Sequence, residues 1–402
     1  MNRQEKERRV KEILNRGIIK EILPSTEEFV EALLNRTLNF YIGADPTGNS
    51  LHLSHAKNFM LLEEFRQLGH NVNVLFGDFT ACIGDPSDRD STRSSLTREQ
   101  AKKNAEEWVS QISKIIDFTD KDNPAHVRYN SEWIDTLTPI DIIELFSHAT
   151  VQQLIERDMF QKRINSNKPI FLNEFVYPMF QGYDSVAMDI DVELCGTDQI
   201  FNALMGRSLV KDYNNKEKFV VAVNLMENPK TGELMSKSNG TGVFLSANAN
   251  DMFGQLMKQP DEMIEVILIN NTRLGFDVIE DLNTEKNPME AKLFMAYEVT
   301  KIFHGEENAS TAKENFINTF SRRDFPDDAS IIHIQQNSVN LIELVCYCMN
   351  EISKSECRRL IEQRAVSING EKHSDINEII TLDNNTVLQV QIGKRNFFKV
   401  TL

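Results

Sequence analysis

Residues 38–45, LNFYIGAD, form a short apolar run that ends in turn residues. From residue 54 to 68 apolar side chains recur at Phe59, Leu62 and Phe65 until Gly69 interrupts them, a spacing of three that predicts a helix. Residues 71–79, NVNVLFGDF, alternate and then run apolar, as a buried strand does. Strand, loop, helix and strand in this order predict a parallel βαβ unit. Further strands are expected at residues 189–194 and 219–225, with a helical pattern at 198–209 between them. The first half is therefore expected to be an α/β sheet, whose ligands bind beyond the carboxyl ends of the strands. The loops ADPTGNSLHLSH, ACIGDPSDRDSTR and LCGTDQ all follow such strands and are expected to converge on one cleft.

From about residue 250 to 320 the pattern is helical, as in MEAKLFMAYEVTKIFHG (289–305), where Gly305 is a natural C-cap. SRRDFPDDAS (321–330) is polar with a proline and reads as a linker, followed by a small α plus β module. Three regions are expected: 1–245, 246–330 and 335–402.

At 402 residues, 41% hydrophobic and 26% charged, the chain has the make-up of an ordinary multidomain globular protein. Its net charge of −16 excludes a protein that coats nucleic acid over its whole surface. It leaves room for a local basic cluster, and Lys354, Arg358, Arg359 and Arg364 form one. The opening MNRQEKERRVKEILNRG lacks the apolar run of a signal peptide, and no stretch approaches the 18 apolar residues of a membrane span. Five cysteines (Cys82, Cys195, Cys346, Cys348, Cys357) with no CxxC pair fit a reducing compartment, so a cytoplasmic location is expected.

The chemistry lies in the loops. In ADPTGNSLHLSH, Asp45, Pro46 and Gly48 make a turn, and Ser50 or Asn49 is expected to cap the helix that carries His52 and His55. Free N–H groups at a helix start attract anions, and two imidazoles there can donate to phosphate oxygens. Two histidines three apart also suit a metal, or nothing beyond ordinary hydrogen bonds. Neither GxxxxGK[ST] nor GxGxxG occurs, so a nucleotide site needs a second element. TGELMSKSNG (231–240), a loop of Gly, Ser and Lys after the last strand, supplies one.

Taken in this order, HLSH and LMSKS resemble the HIGH and KMSKS signatures of class I aminoacyl-tRNA synthetases. FYIGADPTG, IGDPSDRDSTR, YPMFQGYDS and GTDQ extend the resemblance along essentially the whole chain to the tyrosyl-tRNA synthetases of bacterial type. The resemblance implies a Rossmann-type parallel-sheet catalytic domain with an inserted dimer-forming segment, a helical domain, and a C-terminal RNA-binding domain related to a small-subunit ribosomal protein. It implies tyrosine, ATP and tRNA as substrates, Mg²⁺ arriving with ATP, no stored metal, and a homodimer. The reaction would be attack of the tyrosine carboxylate on the α-phosphorus of ATP, then transfer of the tyrosyl group to tRNA.

Matched position by position, Tyr41 and Asp184 would hold the substrate's phenolic hydroxyl, while Asp85, Tyr177, Gln181 and Gln199 would hold the rest of the amino acid. On the isolated residues alone, an aromatic strand residue and a helix-surface aspartate are the preferred reading of Tyr41 and Asp184. Tyr177, Gln181 and Asp184 are spaced four and three apart, which puts them on one helical face. Gly43, Asp45, His52, His55, Gly196, Asp198, Met235 and Lys237 would bind ATP. Thr47, His52, His55, Arg89, Arg93 and Lys237 would serve the transition state, and Lys354, Arg358, Arg359 and Arg364 the RNA, although Glu356 and Glu362 partly offset the last group.

Three positions depart from the family pattern: Ser54 stands for the glycine of HIGH, Leu234 for the first lysine of KMSKS, and Asp88 for a glycine of the GDPSG loop. Each concerns the expected nucleotide surface, which leaves a non-catalytic RNA-binding relative as the alternative.

Overall fold

The computed structural model describes all residues except 86–95, 237–239, 283, 285, 322–328, 350–351, 383–386 and 394–395, and the side chains of 319–321. The described chain divides into two compact units, Met1–Glu314 and Asn315–Leu402.

In the first unit, strands β1 (Ile19–Leu23), β2 (Asn39–Ala44), β3 (Asn71–Phe76), β4 (His126–Tyr129), β5 (Val192–Gly196) and β6 (Phe219–Val223) form one sheet in the order β1-β6-β5-β2-β3-β4. β1 is antiparallel to β6, and every other neighbouring pair is parallel. β6, an interior strand between β1 and β5, is buried at all five positions. The core on one face is aromatic: Phe40 stacks on Phe65 at 4.5 Å and meets Phe29 edge-on at 6.4 Å.

β5 begins three residues later than the apolar pattern suggests. Asp189 takes a left-handed φ of 49°, and Asp191 spends its carboxylate on Asn39 N (2.8 Å) and Arg36 (2.8 Å), so residues 189–191 are a turn. The helix expected at 198–209 runs from Ile200 to Asn214, after a 3₁₀ turn at Thr197–Gln199.

The helices Ala249–Met257, Met263–Asn271 and Pro288–His304 pack in the same unit as the sheet. Gly305, at φ 82°, ends the last of them. Arg16, after the N-terminal helix, caps Met263–Asn271 by donating to the carbonyls of Ile269 (3.0 Å), Thr272 (2.9 Å) and Leu274 (2.6 Å), a cation where the helix dipole is negative.

The second unit holds β7 (Ser330–His333), β8 (Ser338–Asn340), β9 (Val366–Ile368), β10 (Glu371–His373), β11 (Ile379–Thr381), β12 (Leu388–Ile392) and β13 (Asn396–Thr401). Its larger sheet is ordered β10-β9-β12-β13-β7, and β8 pairs with β11. β12 alternates buried and less buried positions, which turns Leu388, Val390 and Ile392 toward a core with Leu344, Cys357 and Ile361. β7 pairs in parallel with β13 and so starts this sheet at Ser330, the last residue of the expected linker, ahead of residue 335. No helix among the described residues is long and apolar enough to cross a membrane.

Candidate active site

The loop after β2 is held from outside. Gln111 accepts from Leu51 N (2.9 Å) and donates to Asn49 O (2.9 Å), and Asn104 donates to Pro46 O (2.8 Å). The following helix, Leu53–Gln67, is capped by His52, in extended conformation, and not by Ser50 or Asn49. Ser50 lies 2.7 Å from Ser246 Oγ instead. His52 N donates to His55 Nδ1 (3.3 Å), and the two rings stand 4.0 Å apart.

Burial pushes both imidazoles down, His52 to about 4 and His55 to about 3, the charge of His52 adding to the second shift. His52 is therefore neutral at pH 7 and carries a dipole, not a charge. Its Nδ1 is buried without a hydrogen-bond partner among the described residues.

The chain returning from the LMSKS loop is strapped to this helix start. Leu53 N donates to Val243 O (3.0 Å), Leu245 N to Leu51 O (2.9 Å), and His52 bridges Phe244. Met235, buried, donates through its N to Met226 O (2.8 Å) and accepts from Ser54 Oγ (3.3 Å). The two signatures thus lie side by side. Arg89, Arg93 and Asp88, like Lys237, lie outside the described residues.

At the end of β2, Asp45 accepts from Thr80 Oγ1 (2.7 Å) and from the Tyr177 hydroxyl (3.0 Å), and burial pushes its pKa up to about 7. Gly77 makes the space, since a Cβ there would fall 2.1 Å from both Asp45 Oδ1 and Thr80 Oγ1. Thr47, exposed, donates from its N to Asp45 O (2.8 Å). Gly43, on the strand itself, has the Tyr41 ring and Leu75 near its missing side chain.

Tyr177, Gln181 and Asp184 project from one helix, Leu172–Ala187. Asp184 is 3% exposed, accepts from Trp133 Nε1 (2.8 Å) and Asn130 Nδ2 (3.5 Å), and burial pushes its pKa well up. Tyr41 is fully buried in the same apolar cluster as Trp133, and the charges of Glu193 and Asp184 add to the rise in its pKa that burial causes.

A chain of amide contacts runs beneath. Gln199 Nε2 donates to Asp85 Oδ2 (2.8 Å), Asn202 Nδ2 lies 2.9 Å from the side-chain oxygens of both Gln199 and Gln181, and Gln181 Nε2 donates to Glu193 Oε1 (3.0 Å). Asp198 folds back against Gly196, where a Cβ would come within 2.3 Å of its carboxylate.

Tyr41, Asp45, Asp85, Gln181, Asp198 and Gln199 thus come from β2, from the segments that follow β2, β3 and β5, and from the helix Leu172–Ala187. The arrangement offers carboxylates and amide oxygens for an ammonium, hydroxyl partners for a phenol, and a helix start for phosphate. Residues 33–321 match the family tRNA synthetases class I (W and Y), and residues 322–400 match the tyrosine–tRNA ligase SYY-like C-terminal domain. The tyrosine–tRNA ligase of Thermotoga maritima is 39% identical over 395 residues, 97% of this chain and 96% of its own.

The chain belongs to the tyrosine–tRNA ligase family. The ligase of Aquifex aeolicus is 37% identical over 388 residues, 96% of this chain and 97% of its own. The fold is shared with a C-terminally truncated mitochondrial tyrosyl-tRNA synthetase of Aspergillus nidulans, at a TM-score of 0.67 and 19% identity over 79% of this chain and 99% of that one. A tyrosyl-tRNA synthetase of Archaeoglobus fulgidus, complexed with L-tyrosine, superposes at a TM-score of 0.59 with 16% identity over 78% of this chain and all of its own. The activity is that of a tyrosine–tRNA ligase, with ATP as the second substrate.

Sequence reasoning missed several members of this candidate site. Asn130 and Trp133 hold Asp184, Thr80 holds Asp45, and Asn202 links two glutamines. None sits in a motif that marks it. Lys57, two residues beyond HLSH, is 2% exposed, donates to Asn224 O (2.5 Å) and Asn58 Oδ1 (3.0 Å), and is pushed down to about 7 by burial against the pull of Asp198.

In the second unit, Lys354, Arg358 and Arg359 lie exposed on the helix Lys354–Glu362, and Arg359 pairs with Glu356. Arg364 does not continue that helix: it follows the cap Gln363 with a left-handed φ of 54°. Asn369 (φ 50°) and Gly370 (φ 88°) turn the chain between β9 and β10.

Proposed function

We propose that tyrosine lies across the ends of β2, β3 and β5, its hydroxyl between Tyr41 and Asp184 and its α-ammonium among Asp85, Tyr177, Gln181 and Gln199. The observation that carries this is the run from Asp85 through Gln199, Asn202 and Gln181 to Glu193, which fixes both ends of each glutamine amide. A glutamine bound at both ends presents one lone pair in one direction, and a carboxylate beside it supplies charge to an ammonium.

ATP, carrying Mg²⁺ as part of the substrate, lies along Gly43, Asp45, Gly196, Asp198 and Met235, its phosphates at His52 and His55. The unpartnered Nδ1 of His52 supports this, because a buried polar atom without a partner is costly. The tyrosine carboxylate attacks the α-phosphorus, pyrophosphate leaves, and the negative charge on the departing group is met by Thr47, the neutral imidazoles, Lys237, Arg89 and Arg93. Rate enhancement comes from alignment and from fixed dipoles aimed where charge develops, without a covalent intermediate. The exposed Lys354, Arg358, Arg359 and Arg364 of the second unit meet the tRNA backbone. The apolar side chains of Ile140 (68% exposed), Ile143 and Leu172 (80%) are covered by a second copy of the chain, which light scattering tests: a monomer at micromolar concentration removes this part.

Tyrosine-dependent ATP–pyrophosphate exchange tests the site. Asp85→Asn raises KM for tyrosine and leaves KM for ATP in place, whereas His52→Ala lowers kcat with both KM values held, the mark of an interaction made mainly in the transition state. The reverse pattern in either variant contradicts the assignment.

A further inference from the structure

Behind the tyrosine pocket lies an ion pair with no access to solvent. Lys218, the residue before β6, is 0% exposed and Glu193, on β5, is 2% exposed, and the ammonium bonds the Glu193 carboxylate. Charges removed from water this completely are costly unless every hydrogen-bonding position is used. They are used here in two directions. Lys218 Nζ donates to Ser185 Oγ (2.8 Å), which donates to the Tyr41 hydroxyl (3.2 Å), and the ammonium stands 5.9 Å from the centre of the Tyr41 ring. On the other side, Glu193 accepts from Gln181 Nε2 (3.0 Å).

The packing is built around this ammonium. The helices Leu172–Ala187 and Ile200–Asn214 approach at Gly182 and Gly206, where a Cβ on Gly182 would lie 3.2 Å from Gly206 Cα. A Cβ on Gly206 would lie 2.6 Å from Lys218 Nζ and 3.1 Å from Ser185 Oγ. The glycine therefore opens the space the ammonium occupies.

We propose that Lys218 and Glu193 are positioning residues for amino-acid selection: one buried ion pair holds the Tyr41 hydroxyl at the phenol end and the Gln181 amide at the ammonium end of the same substrate. The inference rests on the tyrosine site described above. Ser185 has a single proton, and the ammonium facing its oxygen turns that proton toward Tyr41. Glu193 accepts from the Gln181 amide nitrogen, which leaves the amide oxygen to face Asn202 and the pocket. With Lys218 removed, Ser185 can turn its proton to Glu193 Oε2, 3.5 Å away, and the Tyr41 hydroxyl loses that donor.

The test is amino-acid activation by the full-length chain, with kcat and KM for tyrosine, KM for ATP and the kcat/KM ratio of tyrosine to phenylalanine measured for Lys218→Gln and Ser185→Ala. Lys218→Gln is expected to raise KM for tyrosine about tenfold and to cut the ratio about tenfold, with KM for ATP within about twofold. Ser185→Ala, a small change that leaves the ion pair in place, is expected to cut the ratio with less effect on KM. An ion pair that serves stability alone lowers the melting temperature or the fraction of active protein and leaves KM and the ratio at their original values in both variants, which would overturn the proposal. If Lys218→Gln does not fold, Ser185→Ala decides: an unaltered ratio overturns the proposal and a reduced one supports it. Exchange by the unmodified chain that does not depend on tyrosine removes the underlying site, a failure distinct from both.

Discussion

Ser54 Oγ donates to the backbone carbonyl of Met235 across 3.3 Å. The serine occupies the glycine position of one signature, and its partner lies in the other. A departure from the family pattern is thereby joined to the second signature.

A bond of this length between neutral groups is worth about 1 kcal/mol or less, a factor of about five in an equilibrium. Ser54→Ala, which keeps the helix and loses the bond, should raise KM for ATP by up to about fivefold and leave KM for tyrosine alone. An equal rise in both would place the serine's effect outside the nucleotide surface.

Selectivity should depend on the residue behind Asp184 as well as on the pair facing the phenol. Tyr41→Phe and Asp184→Asn remove or alter one partner of the substrate hydroxyl, and Trp133→Phe removes the 2.8 Å donor that orients Asp184. Each should cost about 1–3 kcal/mol in the discrimination of tyrosine from phenylalanine. The kcat/KM ratio measures this, and an unchanged ratio in all three variants would take the phenol away from this pair.

The neutral histidines give a stability signature on the acid side. Their native pKa values, about 4 for His52 and about 3 for His55, lie below the ordinary 6.5. Above that value neither folded nor unfolded chain is protonated there, and the full stability is present. As pH falls below it, the unfolded chain takes up protons the native chain refuses, and each histidine removes up to about 1.4 kcal/mol per pH unit until its native pKa is reached. Denaturant titration between pH 7 and 5 should show a shallower loss in His55→Asn than in the unmodified protein. Equal slopes would contradict a neutral buried His55.

Much of the first unit was legible because apolar runs and glycine stops fall close to the element ends: β2, β3, β6 and the helix Leu53–Gln67 lie within a few residues of their expected positions. The misplacements share a cause. At residues 189–191 and at Ser50, polar side chains and turns decide where an element starts, and periodicity does not register them. Tyr41, Gln181 and Asp184 could be singled out through motifs, whereas Asn130, Trp133, Asn202, Glu193 and Lys218 could not. These hold other side chains, and some of their partners lie far away in sequence, 51 residues in the case of Trp133 and Asp184. Arg364, grouped with Arg358 and Arg359 from the sequence, lies beyond the end of their helix at Glu362 and is itself left-handed.

The division of the chain predicts a division of labour. The first unit carries all the adenylate-forming residues assigned above, and the helix Glu306–Ser321 ends just before residues 322–328. Removing residues 322–402 should leave tyrosyl-adenylate formation within about threefold and abolish transfer to tRNA, since backbone contacts dominate affinity for nucleic acid. A cut at 335 leaves β7 without its partner β13 and is the poorer experiment. A truncated protein that charges tRNA at the full-length rate would contradict this division.

The central claim is that the ends of β2, β3 and β5 select tyrosine for activation, and the most direct measurement is ATP–pyrophosphate exchange by the purified chain with each of the amino acids in turn. Exchange with tyrosine, with phenylalanine near background, and a loss of that preference in Asp184→Asn is the result this account predicts. Exchange driven equally by phenylalanine, or an unchanged preference in folded Asp184→Asn, would contradict it.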